Sequence, residues 1–376
     1  MFFVALKILL YDKVRSLFSI LGVIFAVSLI FAQIGIYFGL METSSTLIDY
    51  TPGDIWVTSK NSKNFDFSQP FPEYFYYHVL SAEGIQWAEK LIVSWGIIKQ
   101  KEGGTEQVEI VGYNPDTGIG GPWAMMIGDA KSVKNGHFGI IDESSMSRLG
   151  DIKVGEYRDV LWKRIQIVGI SQGVKSFTTA PIVFTSYRVA QMIDPNWIGT
   201  DKTVFIIAKV LPDHSVSKVI ESLKDKLQGV DVYSKEAFSR KTRLYWTFET
   251  GVGYAFLITI LISFLVGTLI VGQTIYNSTA EHIKEFGTLK ALGAENVDVY
   301  KIIFTQAFII ALLSYLISLI ITLISVKFYE AIDMVMVVKW WTNLIVFFMT
   351  FLMCFASAYI SIRKIKRIDP AILFRG

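Results

Sequence analysis

Four stretches of the chain, 16–40, 251–276, 302–326 and 340–362, carry no charged residue. At about 1.5 Å per helical residue, each is long enough to cross a hydrocarbon core of about 30 Å, so each is predicted as a membrane-spanning helix. A long insert, 41–250, separates the first from the second, and the last three follow at short intervals. The pattern predicts an α-helical membrane domain with four transmembrane helices (1+3), plus a mixed α/β extracytoplasmic domain inserted between the first and second helices. An insert of that length can bury a core of its own.

Inside the insert the pattern changes to short apolar runs separated by turn residues. Segments 54–59, 107–112, 138–142, 158–162, 165–169, 181–185 and 203–208 read as strands, and 229–233 as a final one. Segments 72–80, 143–149, 186–193 and 214–227 read as helices; in the last, Ser215 or Ser217 is placed to cap a stripe of Val219, Ile220, Leu223 and Leu227. Residues 235–250 read as a helix that runs without a break into the second span. The stretch 61–72, rich in Asn, Ser, Phe and Pro, reads as an irregular loop.

Residues 1–15 precede the first span as a cytoplasmic amphipathic helix. Phe2, Phe3, Leu6, Leu9, Leu10 and Val14 share one apolar face beside Lys7 and Lys13. The apolar run that follows exceeds a signal-peptide core and meets no small-x-small cleavage site, so it reads as an uncleaved anchor. Gly35 and Gly39 within it form a small-xxx-small step, open to close helix packing, including between two copies, or to the ordinary abundance of glycine in spans. Gln33 is a polar group at membrane depth.

Composition sharpens this picture. Of 376 residues 52% are hydrophobic, and the mean hydropathy of +0.43 is too high for an ordinary soluble protein. A net charge of +3 gives no argument for nucleic acid. The single cysteine, Cys354, lies in the fourth span, so no disulfide holds the insert. Lys7, Lys13 and Arg15 precede the first span, and Arg363, Lys364, Lys366, Arg367 and Arg375 crowd the tail 363–376. By the positive-inside rule both ends are cytoplasmic. The insert and the short loop 327–339 then lie outside, and the loop 277–301 returns to the cytoplasm. The expected location is the bacterial inner (cytoplasmic) membrane.

Enzyme chemistry is not written in the chain. There is no G-x-x-x-x-G-K-[ST] to cradle phosphates, no H-E-x-x-H and no C-x-x-C, and His78, His137, His214 and His282 are scattered. Gly118-Ile-Gly-Gly-Pro122 has the glycines of a phosphate loop without its helix and lysine, and reads as a turn. No catalytic residue, metal or cofactor is assigned to the chain.

The loop 277–301 holds an amphipathic segment in which Ser278 or Thr279 is placed to cap, Ile283, Phe286 and Leu289 form a stripe, and Gly293 ends the helix. Its physics suits either an interfacial helix or a docking helix for a partner. Its wording is narrower. Lys284-Glu-Phe-Gly-Thr-Leu-Lys-Ala-Leu-Gly-Ala294 resembles the R-E-[IF]-G-x-L-[RK]-A-[LI]-G-A stretch of permease subunits in the MacB/FtsX/LolC-type (type VII, mechanotransmission) ABC transporters. Lys284 and Phe286 are mild departures from it. Lys13-Val-Arg-Ser-Leu before the first span, and 367–375 with Pro370 and Leu373-Phe-Arg375, resemble the ends of the same family. Residues 31–41 and Gly53-Asp-Ile-Trp-Val57 look most like its DevC branch.

The resemblance implies a homodimer, or a dimer with a closely related permease, built around the first and second spans. A cytoplasmic ABC ATPase would bind the ATP and Mg and dock under the loop. Glu281, Glu285, Phe286, Leu289, Lys290 and Leu292 are the implied docking residues, with Gly287 and Gly293 as shape residues. The tail 363–367 is either a second contact or an anchor on membrane lipids, the anchor being favoured. A lipophilic substrate would enter near Gln33, Tyr37 and Tyr254, though the two tyrosines also suit plain interface anchoring. The DevC likeness implies export of a lipid or other amphiphile with a periplasmic membrane-fusion adaptor and an outer-membrane channel. Three alternatives stand beside it. One is an adaptor-independent exporter of haem or antimicrobial compounds. Another is a non-transport sensor or scaffold controlling a periplasmic partner such as a wall hydrolase. The third is a membrane enzyme, which would depend on Glu249 or Asp333.

Overall fold

The computed structural model describes residues 2–11, 13–101, 103–175, 180–282, 285–288, 293–332 and 334–365, and for Arg15, Lys364 and Ile365 it describes the backbone. The chain forms two compact units, Met1–Gly39 with Val252–Gly376, and Leu40–Gly251. Among the described residues four helices are long and apolar enough to cross a membrane, one N-terminal and three C-terminal, with a mixed α/β domain between the first two.

In the membrane unit, α1 (Phe2–Tyr11) precedes α2 (Lys13–Thr43). The helix expected over the first fifteen residues therefore stops at Tyr11, and α2 already begins at Lys13. The remaining spans are α10 (Val252–Glu281), α11 (Asn296–Ala331) and α12 (Trp340–Ile365). Each span outruns its charge-free stretch, because backbone hydrogen bonding continues once the helix leaves the apolar layer. Small residues set the packing. A Cβ on Gly22 would lie 2.6 Å from Ile270 Cγ2, and one on Gly267 would lie 2.3 Å from Met353 Sδ. Serine hydroxyls then donate across helices to backbone carbonyls: Ser314 to Ile20 (3.3 Å), Ser318 to Ile24 (3.0 Å), Ser357 to Thr268 (2.7 Å) and Ser361 to Gly272 (2.9 Å). Lipid gives no hydrophobic drive for helix association, so close backbone approach and such bonds carry it.

Among the described residues the inserted domain has twelve strands: β1 (Ile55–Ser59), β2 (Phe71–Pro72), β3 (Ile85–Lys99), β4 (Thr105–Tyr113), β5 (Met125–Ile127), β6 (Phe138–Asp142), β7 (Tyr157–Val160), β8 (Lys163–Ser171), β9 (Ile182–Ser186), β10 (Lys202–Thr203), β11 (Phe205–Val210) and β12 (Val230–Ser234). Among the described residues the main sheet runs β12-β1-β11-β3-β4-β9-β6-β8-β5, with β7 beside β3 and β8; β2 and β10 pair separately. Most pairs are antiparallel, but β4–β9 and β6–β8 are parallel. The 15-residue β3 serves both halves of the sheet: Ile85–Leu91 pairs with β11, and Ile92–Lys99 with β4.

The helices of this domain are α3 (Thr46–Tyr50), α4 (Phe75–Leu80), α5 (Met146–Leu149), α6 (Tyr187–Ile193), α7 (Pro195–Ile198), α8 (Val216–Lys226) and α9 (Lys235–Leu244). Ser186 caps α6 by accepting from the Val189 N–H, and Gly112 of β4 lets that helix close in, since a Cβ there would lie 2.3 Å from Ala190 Cβ. Ser215 stands at the N-cap of α8 without a side-chain bond, and Val219 and Leu223 are buried beneath the helix. Rings dominate one core. Phe65 stacks on Phe205 (5.0 Å, 5°), and Trp56 lies 5.5 Å from Phe205 and 5.7 Å from Phe238. Gly118 and Gly120 adopt positive φ in the turn at 118–122.

One expectation from the sequence fails. Residues 235–250 do not continue as one helix into the second span. A π-helical turn, Tyr245–Glu249, follows α9, and Gly251 at φ +79° breaks the chain before α10. No atom crowds Gly251, so glycine is required there for backbone conformation rather than for space. The turn is held within its own domain. The Trp246 indole donates to Asp66 Oδ2 (2.9 Å) and Lys63 pairs with Glu249 (2.9 Å). One helix earlier, Arg243 Nη2 reaches Asp49 (2.5 Å) and Arg243 Nε reaches Ser45 (2.7 Å).

Candidate functional site

The loop between α10 and α11 begins as a continuation of α10. Ser278 and Thr279 lie inside that helix rather than at the start of a new one, and the buried Thr279 hydroxyl returns to the Ile275 carbonyl (2.7 Å). Helical hydrogen bonds then carry past the end of α10, from His282 N–H to the Ser278 carbonyl (3.2 Å) and from Phe286 N–H to the His282 carbonyl (3.1 Å). A helical turn covers 285–288.

Two inward groups seat this segment. Phe286 is 6% exposed and belongs to the apolar cluster that includes Ala5, Val299, Ile302 and Ile303. The His282 ring meets Tyr11 of α1 edge-on at 6.1 Å, and its Nδ1 lies 3.3 Å from Glu285 Oε1. Glu285 is held below the usual carboxylate range, first by its own backbone N–H and then by His282. Glu281, Glu285 and Thr288 are exposed. At the far end Gly293 has φ +98°. Glu295 and Asp298 then form a reciprocal capping box that starts α11, each side chain accepting from the other's backbone N–H.

The structure therefore divides the residues expected to dock a partner. Glu281 and Glu285 face outward, Gly287 is half-buried, and Phe286 is turned into the bundle, where it anchors the segment. Leu289, Lys290 and Leu292, like Lys284, Asp333 and the tail 366–376, lie outside the described residues.

Gly35 and Gly39 do make a close approach, to a loop rather than a helix. A Cβ on Gly39 would lie 1.9 Å from the Val335 carbonyl oxygen, and one on Gly35 would lie 2.9 Å from Met336 Cε. The Val337 N–H donates to the Gly35 carbonyl (3.0 Å). The chain's own segment 335–337 thus occupies this face. Among the suggested substrate contacts, Gln33 is half-buried, Tyr37 packs edge-on to Phe256 (5.8 Å), and Tyr254 is exposed.

Sequence reading passed over the serine contacts. Ser314/Ser318 and Ser357/Ser361 are each spaced i, i+4, the same small-xxx-small signal that marks Gly35 and Gly39. The His282–Tyr11 contact had no sequence signal, since its partners lie 271 residues apart. Among the described residues no three metal-ligating side chains come together.

Residues 256–370 match the family described as FtsX-like permease C-terminal. A permease of Methanocaldococcus jannaschii, named as an uncharacterized ABC transporter permease, is 26% identical over 238 residues, 60% of this chain and 58% of its own length. Two uncharacterized ABC transporter permeases of Mycobacterium tuberculosis are 22% identical over 383 residues and 23% over 382, across the full length of both proteins in each case. The periplasmic region of MacB from Actinobacillus actinomycetemcomitans aligns with 50% of this chain and 92% of its own at 11% identity, with a TM-score of 0.39.

Proposed function

We propose that this chain, a multi-pass ABC-transporter permease of FtsX-like type, transmits motion from a separate cytoplasmic ATPase, docked on the exposed face of 281–288, to its inserted domain. The observation that carries the reading is the seated segment itself. Phe286 and His282 fix it to the helix bundle, while Glu281 and Glu285 point away from it. A docking element has to be rigid toward the subunit it moves, and charges at the exposed rim of its outer face set register and partner choice. Because α10 is one continuous helix of 30 residues, displacement at its loop end is conveyed along its length.

In this reading the ATPase binds ATP and Mg, and the permease contributes no catalytic group. The termini and the loop 277–301 are cytoplasmic, as the Lys and Arg distribution favours. The permease works as a dimer. Tyr254, Leu257, Ile258, Leu261, Ile262, Leu265 and Leu269 form an exposed stripe along α10, which suits a second copy. Gly35 and Gly39 lie against segment 335–337, which favours the α10 stripe over them as the seam. The finer reading, export of a lipid or other amphiphile with an adaptor, rests on the DevC-like wording at 31–41 and 53–57.

The test is co-purification of the ATPase with the permease from native membranes. Glu285→Arg, and more strongly Glu281→Arg with Glu285→Arg, should reduce ATPase recovery about tenfold while the permease dimer survives. Wild-type recovery and ATPase rate in the double variant would refute docking at this face. Lipid mass spectrometry of the same preparation identifies cargo, and recovery of an ATPase without an adaptor favours extrusion from the bilayer.

A further inference from the structure

A cleft of about 730 Å³ opens in the inserted domain, within the size range of small-molecule sites. Its position follows from the sheet. β4 and β9 form a parallel pair ending at Tyr113 and Ser186, and the cleft is lined by the residues that come next: Asn114 and Asp116 after β4, Tyr187 and Arg188 after β9. Chains leaving parallel strands depart by separate routes, and the crevice beyond their carboxyl ends is where open sheets hold ligands. Another wall comes from Glu89 and Lys90, beside the point where β3 passes from β11 to β4. Two halves of the domain thus meet at this opening.

Its charges are unequally satisfied. Lys90 pairs with Glu73, and its ammonium lies 4.7 Å from the Tyr187 ring centre and 5.3 Å from that of Tyr76. Lys134 pairs with Asp116, and the Asn114 amide donates to Glu89 at 3.2 Å. Arg188 lines the same cleft and is exposed, and its guanidinium has no hydrogen bond or ion pair among the described residues; His137 lines it too, and its imidazole likewise has none. A guanidinium offers five donors in a planar fork, shaped for the two oxygens of a carboxylate or phosphate. Val189 and Met192 add apolar wall beside it.

We propose that this cleft binds a small organic oxyanion, held by the Arg188 fork with His137 beside it and lying against Tyr187 and Met192. The inference goes beyond the coupling role and does not rest on it. The oxyanion belongs either to a free solute or to the head group of an amphiphile, and the test separates these sources.

The full-length chain in phosphatidylcholine nanodiscs, without any ATPase, is titrated by calorimetry with glycerol 3-phosphate, glucuronate and dihexanoyl phosphatidic acid. Saturable binding of at least one probe is expected, weakened about tenfold by Arg188→Ala, further by Arg188→Glu, and partly retained by Arg188→Lys. Equal affinity for the two phosphate probes assigns a free solute, and tighter binding of the tailed probe assigns a head group. Arg188 is exposed, so thermal unfolding of the variants should match wild type. No saturable binding of any probe below about 10 mM, or wild-type affinity in a folded Arg188→Glu variant, would overturn the proposal.

Discussion

In the inserted domain Trp56, Phe65, Phe205 and Phe238 fill a core with rings, whereas in the membrane unit Gly22, Gly267 and four serines bring helices together. The contrast follows from solvent. Water drives large apolar groups into a shared interior, at about 25 cal/mol per Å² removed from it. Lipid is as apolar as leucine, so the membrane unit gains by removing side-chain bulk and bonding hydroxyls to carbonyls. One unit is therefore sensitive to lost volume and the other to added volume. The exposed leucines and isoleucines along α10 and α11 belong to the same logic, since apolar side chains face lipid at no solvation cost.

The largest effect expected from this contrast is on the ring core. Trp56→Ala removes a side chain with no exposed surface and should cost the inserted domain about 3–5 kcal/mol. Urea unfolding followed by far-UV circular dichroism measures it, and a loss under about 1 kcal/mol would show that the rings are not the main support. The mirror experiment is Gly39→Leu. Its Cβ meets main chain at Val335, which cannot swing aside as a side chain can. A loss of about 1–3 kcal/mol is expected, read as a lower melting temperature of the chain in nanodiscs. An unchanged melting temperature there would mean that added volume is tolerated and the contrast is wrong.

A third effect concerns a buried charge. Asp66 receives hydrogen bonds from two neutral donors, the Trp246 indole and the Asn64 amide (3.1 Å), and burial pushes its carboxyl up from 3.8 to about 6. Between those pH values the folded domain holds a proton that the unfolded chain releases. The stabilisation is therefore complete below about pH 4, is lost as pH rises to about 6, and stays lost above it, for a total of about 3 kcal/mol. Asp66→Asn should remove this dependence. Proteolysis of loop 61–70 at pH 5 and pH 8 is the measurement, and an identical pH response in the variant would count against the assignment.

Individual residues show where the sequence was legible. The four spans and the segments that became β1, β4, β6, β8, β9 and β12 declared themselves by uninterrupted apolar or β-branched runs. β3 did not, because Ala88-Glu89-Lys90-Leu91 is written in good helix formers. Pairing with β11 and β4 on either side overrode that local preference. The break before α10 was missed for a related reason. The residues of 235–250 favour helix, and Gly251 matters through a backbone angle that spacing does not reveal.

The candidate sites divide along the same line. Wording alone marked Glu285, Phe286 and Gly287 as belonging together. Only the fold showed that Phe286 turns inward and Glu285 outward, because a helix on a bundle has one covered face and the sequence does not say which. Gly35 and Gly39 were legible as a place of close approach, but their partner was not, since Val335 lies almost 300 residues away. The cleft beside Arg188 had no sequence signal, because its walls come from segments that only strand order brings together. By itself the sequence determined the membrane spans, the inserted α/β domain and the family likeness, since these depend on solvent preference and local pattern. Tertiary structure decided which faces are covered, which side chains are left without a partner among the described residues and where the chain breaks, since these depend on contacts between residues far apart along the chain.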